Sequence, residues 1–117
     1  MQTMFQQSYH IPGTLSANIG VRFTTPCDCT LVHVSAVASN NSDATLKLGH
    51  STDDDAYLVA TAIGDSGTPV EFDRDDFVGG QFPHIAAGTI VVATLDYDGA
   101  AGTAAQDVTM VLTFVEG

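Results

Sequence analysis

Apolar and polar side chains alternate along several short stretches of this chain, and the alternation predicts β-strands. Four stretches carry the pattern most clearly: residues 19–24, 30–37, 89–96 and 107–115. Turn-forming residues separate such stretches about every 8–12 residues, a spacing typical of sandwiches. We therefore predict an all-β fold: an antiparallel β-sandwich of jelly-roll type with about seven or eight short strands.

Three segments are harder to assign from the pattern. Residues 53–62 fit either a strand or one to two turns of helix, because short apolar runs do not distinguish the two. Residues 73–89 contain Gly79, Gly80 and Pro83 and are expected to form an irregular connection. The small residues of 98–106 are expected to form a hairpin loop between the last two strands.

The chain has 117 residues, which suits a single domain. Residues 9–117 are expected to form the sandwich. Residues 1–8 carry little pattern, so they fit either an N-terminal arm or an edge strand. Met1, Met4 and Phe5 make this segment apolar, and we expect it to contact another chain if it is an arm.

The formal net charge of −11 limits the classes of partner. A phosphate backbone or an anionic lipid surface would be repelled, so neither nucleic acid nor a membrane is an expected partner. The first residues lack the basic and apolar regions of a secretion signal, which suggests synthesis in a cytoplasm. The charge leaves open a cationic partner surface, bound divalent ions or a high-salt habitat.

No enzyme motif is recognisable in the sequence, so we expect no catalytic residue and no cofactor. The four histidines are scattered. Cys27 and Cys29 share a C-x-C pair, but no second Cys/His pair follows at zinc spacing. We interpret the two thiols as small, partly buried side chains.

Asp53, Asp54 and Asp55 form a run of three carboxylates. Adjacent carboxylates repel one another and must be solvated, spread by a turn, or neutralised. The run lacks the spacing of an EF-hand loop. A solvated surface turn is therefore the expected structure, and the three aspartates remain weak calcium candidates.

The second face of two predicted strands is apolar where a sandwich usually faces water. Leu31 and Val37 lie on this face of 30–37, and Val111 and Val115 lie on that of 107–115. Such faces are typical of contacts between subunits. They predict a homo-oligomer, with a trimer favoured, although scattered surface valines also need no special explanation.

Residues 44–67 and 85–117 resemble small structural proteins of tailed bacteriophages. The resemblance rests on a strand–Gly–turn–Asp-rich segment, an Ala-Gly-Thr entry to a strand, and a small-residue loop before a C-terminal strand ending in Glu-Gly. It implies a capsid decoration, cement or head-fibre-base protein located on the virion surface. Its partner would be the major capsid protein, and no catalytic residue is implied.

Besides a small hydrolase, for which no motif is recognisable, two alternatives remain open from the sequence. One is a structural module of a phage tail or fibre. The other is a soluble β-sandwich that binds calcium or carbohydrate in its loops, for which only Tyr57, Tyr97, Phe77 and Phe82 could supply an aromatic platform.

Overall fold

The computed structural model describes residues 3–117 and confirms the predicted antiparallel β-sandwich. Besides the strands, it contains two short 3₁₀ turns at Arg74–Asp76 and Val78–Gly80. The strands are β1 (Met4–Thr14), β2 (Ile19–Thr24), β3 (Cys29–Val37), β4 (Thr45–His50), β5 (Asp53–Ala62), β6 (Val70–Phe72), β7 (His84–Ile85), β8 (Ile90–Asp96) and β9 (Gln106–Glu116).

The strands form two sheets whose pairing is nested. Sheet A has the order β1-β9-β3-β6, with β7 paired to the start of β3, and sheet B has the order β2-β8-β4-β5. The first strand thus pairs with the last, the second with the next to last, and β4 with β5. Most connections consequently cross from one sheet to the other.

The β8–β9 connection is one of these crossings, which corrects the hairpin expected at 98–106. Strand β8 lies in sheet B and β9 lies in sheet A. Small residues suit a tight crossing between layers as well as they suit a hairpin, so local composition did not distinguish the two.

The core lies between the sheets and is filled by the alternate side chains of each strand. In β9, the predicted inward residues are all fully buried: Val108, Met110, Leu112 and Phe114. Phe5 of β1 stacks on Phe114 with ring centroids 4.9 Å apart, and Phe23 of β2 meets Phe114 edge-on at 5.8 Å. Phe114 therefore joins both sheets.

A β-bulge in β3 corrects the predicted face of Leu31. The pairing of β3 with β9 shifts between Leu31 and His33, so Val32 is an extra residue. As a result Leu31 and Val34 both point into the core and are fully buried. Leu31 is a core residue and not part of an outer face.

Residues 53–62 form strand β5, and neither a helix nor an aspartate turn is present there. The turn between β4 and β5 consists of Ser51 and Thr52, and Asp53 already pairs with His50. A Cβ on Gly49 would lie about 2.1 Å from the Asp53 carbonyl oxygen. Only glycine permits this close approach of the two strands.

Residues 4–8 belong to β1, which continues to Thr14. The boundary expected between residues 8 and 9 therefore falls inside a strand. Phe5 packs on its own core, so a free arm does not describe this segment. Met1 lies outside the described residues.

The irregular connection expected at 73–89 is confirmed for 73–83, whereas His84–Ile85 form the short strand β7, which pairs with the start of β3. Asp73 begins the first 3₁₀ turn: its carboxylate accepts from the Asp75 N–H, and Asp76 accepts from the Asp73 N–H. These aspartates thereby hold the backbone of the connection.

Candidate interaction surfaces

The outer surface of sheet A carries no formal charge where three of its strands, β1, β9 and β3, lie side by side. It is built by aligned residues of three neighbouring strands. We call it the neutral face; it consists of Met4, Gln6, Ser8 and His10 of β1, Thr109, Val111, Thr113 and Val115 of β9, and Thr30, His33, Ser35 and Val37 of β3. No Asp, Glu, Lys or Arg occurs among these twelve residues.

The polar side chains of the neutral face are largely bonded to partners within their own subunit. Gln6 Nε2 donates to the Thr113 hydroxyl at 3.1 Å, and the His10 ring lies 2.8 Å from the Thr109 hydroxyl. The Thr30 hydroxyl donates to the Gly117 carbonyl at 2.8 Å. Because these groups already have partners, covering them leaves few unsatisfied donors and acceptors.

Glu71 of β6 borders the neutral face. Its carboxylate lies 2.9 Å from His33 Nε2, and β6 pairs with β3 at Ser35. An imidazole at this distance can donate to the carboxylate or, when protonated, compensate its charge. The carboxylate of Glu71, at the border of the face, thus also has a partner within its own subunit.

Four of the predicted interface residues lie on the neutral face and two do not. Val37, Val111 and Val115 are half-buried there, and Met4 is 66% exposed. Phe5 and Leu31 point into the core.

Of the β1 residues on this face, only Met4 was predicted, and the other three were not. The signal of this strand is present in Phe5, Tyr9 and Ile11, which alternate as inward residues. Between Phe5 and Tyr9 the inward residue is Gln7, and this polar side chain interrupts the alternation of apolar and polar residues in the sequence.

The carboxylates are concentrated at the two ends of the sandwich. The loops and strand termini at one end hold Asp43, Asp65, Asp96, Asp98 and Asp107, and those at the other hold Asp28, Asp53–Asp55, Asp73, Asp75, Asp76 and Glu116. Two of the three basic residues, Arg22 and Lys47, point outward from sheet B. The negative charge therefore surrounds the neutral face without entering it.

Several of these carboxylates hold loops together. Asp43 accepts from the Thr103 N–H at 2.7 Å, and Asp65 accepts from the Ser42 N–H at 3.1 Å. Asp107 accepts from the Gly13 N–H at 2.7 Å. This hydrogen bond from the backbone, together with one from the Ser39 hydroxyl, lowers the pKa of Asp107. These roles are structural.

The calcium candidates Asp53, Asp54 and Asp55 are exposed at the start of β5. Their carboxylate oxygens can lie within 4.8 Å of one another. Asp54 Oδ2 is 3.0 Å from Lys47 Nζ, so one carboxylate already has a cationic partner. Hydrogen bonding to Asp53, together with partial desolvation and the neighbouring negative charges, raises the pKa of Asp55.

Asp55→Asn is expected to raise the melting temperature slightly at pH 7. A carboxylate whose pKa is raised in the folded state opposes folding above that pKa, and the opposition disappears as the pH falls through it. The difference between variant and wild type should therefore shrink under acidic conditions. Thermal melts of both proteins at neutral and acidic pH measure this difference. The same melts with EGTA test for a bound cation: a melting temperature that EGTA lowers in the wild type but not in the variant would identify a cation site.

Sheet B carries a shallow pocket of about 110 Å³ on its outer surface. Asn18, Lys47 and Asp96 supply its polar groups. None of these is a nucleophile paired with a base, so the pocket provides no recognisable catalytic arrangement. In residues 3–117, no helical segment has the length and apolarity needed to cross a bilayer.

Comparison with known proteins gives matches in structure alone. No protein-family model matches the chain, and no curated protein sequence matches it. A chain in the solved structure described as the cyanophage Pam1 capsid asymmetric unit is similar, with a TM-score of 0.58 and 16% identity. The match covers 99% of this chain and 85% of that one.

A second similar chain comes from the acidic stable capsid structure of Helicobacter pylori bacteriophage KHP30. Its TM-score is 0.43 and its identity 14%, over 98% of this chain and 91% of that one. At these identities, the likeness to the cyanophage chain establishes the fold of the sandwich.

Proposed function

We propose that this chain is a structural protein of a tailed-phage virion and that it decorates the outside of the capsid. One observation carries the proposal: 99% of this chain matches 85% of a chain from a phage capsid asymmetric unit. The resemblance in residues 44–67 and 85–117 to phage decoration and cement proteins supports the same function. The nested strand order also supports a jelly roll, an architecture common in capsid proteins.

The distribution of charge supports a position on the exterior of the shell. The net charge of −11 would oppose contact with packaged DNA. Carboxylates at the two ends of the sandwich suit a surface that faces solvent. Neither nucleic acid nor a membrane is a proposed partner.

The neutral face is the proposed site of attachment, and the major capsid protein is the proposed partner. Binding through this face covers Val37, Val111 and Val115 and keeps the carboxylates at the rim. Each bound subunit would connect neighbouring coat subunits. The shell would gain stability because the decoration protein binds only its assembled form.

Purified virions test the proposal directly. We expect the protein to sediment with DNA-filled heads, and particles assembled without it to release their DNA at a lower temperature. Adding the purified protein back should restore the release temperature. Recovery of the protein with detached tails would contradict capsid decoration and favour the tail-module alternative.

A further inference from the structure

We propose that two copies of this chain pair through the free edges of their β1 strands and form a two-fold dimer. Strand β1 is the terminal strand of sheet A and pairs only with β9 within residues 3–117. It is 11 residues long. A strand edge of this length is a template for pairing with another chain.

The other edges of the described sandwich are protected, whereas β1 is not. Strand β5 begins with three aspartates, β2 carries Arg22, and β6 has three residues including Glu71. Short edges and charged side chains are the usual means of preventing edge-to-edge pairing. Strand β1 contains no Asp, Glu, Lys or Arg, and its single proline, Pro12, lies near its end.

The hydrogen bonding of β1 to β9 indicates which backbone groups are free. The Glu116 N–H donates to the Thr3 carbonyl at 2.9 Å, which makes Thr3 and Glu116 a hydrogen-bonded pair. Bonded and non-bonded pairs alternate in antiparallel strands. The N–H and C=O groups that point away from β9 are therefore those of Met4, Gln6, Ser8 and His10.

These four residues are complementary to themselves under a two-fold axis through residue 7. Met4 of one copy then lies opposite His10 of the other, and Gln6 lies opposite Ser8. Such a register forms about eight backbone hydrogen bonds. On the inner side, Phe5 lies opposite Tyr9 of the second copy, an aromatic pair that sheets favour.

Charge argues for a second copy as the occupant of this edge. Two chains that each carry −11 can approach closely only where their carboxylates are absent. Strand β1 forms one side of the neutral face and meets this condition. A strongly basic partner would instead be drawn to the acidic ends of the sandwich.

Interface area gives the second reason for a dimer. From strand spacing and rise, the neutral face of one subunit measures roughly 25 by 15 Å, or about 400 Å², half of what one partner contributes to a standard interface. Residues that lie opposite each other in an antiparallel strand pair project from the same face of the sheet. Pairing through β1 therefore places the neutral faces of the two copies side by side on one continuous surface. The gain in attachment area rests on the proposed function of the neutral face in capsid binding. The pairing of the two β1 strands can be measured on the purified chain alone.

A dimer differs from the trimer expected from the sequence. A strand paired with its own copy forms an isologous contact, which closes with two subunits, whereas a trimer needs two different contacting surfaces.

Light scattering on the purified protein tests the pairing. At about 100 μM we expect a species of twice the chain mass, and Ser8→Pro should raise the dissociation constant at least about 100-fold. The Ser8 N–H is not used by β9, so the proline removes a donor at the free edge and leaves the internal ladder intact. Ser8→Thr keeps the N–H and should remain dimeric.

Hydrogen exchange provides a test that needs no variant. The amides of Gln6, Ser8 and His10 should become more protected as the wild-type concentration rises through the dissociation constant. A wild-type chain that is monomeric or trimeric at about 100 μM overturns the proposal. A dimer in which these three amides stay unprotected overturns it as well. Neither measurement involves a capsid, so each outcome is separate from that of the virion experiment.

Discussion

Val111→Lys is expected to release the subunit from the capsid without unfolding it. Val111 lies in the middle strand of the neutral face, between Ser8 of β1 and Ser35 of β3. In the free subunit, a lysine there can extend its ammonium group into water. In the bound state the same charge would be buried without a partner, at a cost of several kcal/mol. A loss of about 4 kcal/mol lowers affinity roughly 1,000-fold.

Co-sedimentation with particles that lack the protein measures this loss. Val59→Lys is the matched control, because Val59 is an exposed valine on β5 of the opposite sheet. The control should bind like the wild type, and both variants should keep the wild-type melting temperature. Retained binding by Val111→Lys, or lost binding by Val59→Lys, would place the attachment surface elsewhere.

The oligomeric state of Val111→Lys separates the two proposed contacts. Attachment uses the neutral face, whereas self-pairing uses the edge of β1. Val111 is on β9, one strand away from that edge. The variant should therefore remain dimeric while losing the capsid.

The strands that could be predicted from the sequence are those whose two faces differ most in polarity and burial. In β9, each inward residue is apolar and fully buried, and the outward residues alternate with them. Strand β2 follows the same rule with Ile19, Val21 and Phe23. Neither β2 nor residues 108–116 of β9 contain an extra residue, so a period of two along the chain corresponds directly to the two faces of a sheet.

The bulge in β3 was not predictable from local alternation. Both faces of β3 are rather apolar, and an extra residue at Val32 changes the face of every later side chain. The position of a bulge depends on pairing with β9, which is distant in sequence. Leu31 was consequently assigned to the wrong face.

The aspartates illustrate how tertiary pairing overrides local propensity. Aspartate is unfavourable in strands and favourable in turns. In the structure, the two-residue turn at 51–52 and the pairing of Asp53 with His50 bring the run into β5. Lys47 on the neighbouring strand compensates part of its charge. None of these contacts is visible in the run itself.

Phe114→Ala is expected to reduce the free energy of unfolding by about 3–5 kcal/mol. Phe114 is fully buried in the central part of sheet A. It stacks on Phe5 of the edge strand and meets Phe23 of sheet B edge-on, so the substitution removes two aromatic contacts as well as apolar area. The cavity would open between the sheets and beside β1.

Urea unfolding followed by circular dichroism measures this loss. Phe82→Ala is the aromatic control, because Phe82 is 39% exposed in the connection after the 3₁₀ turns, and its effect should stay below about 1 kcal/mol. The Phe114 variant should also loosen β1, since Phe5 loses the ring on which it packs. Its dimer should therefore weaken together with its fold, whereas Ser8→Pro should weaken the dimer alone. Similar unfolding energies for the two phenylalanine variants would contradict the role of Phe114 as the residue that joins the sheets.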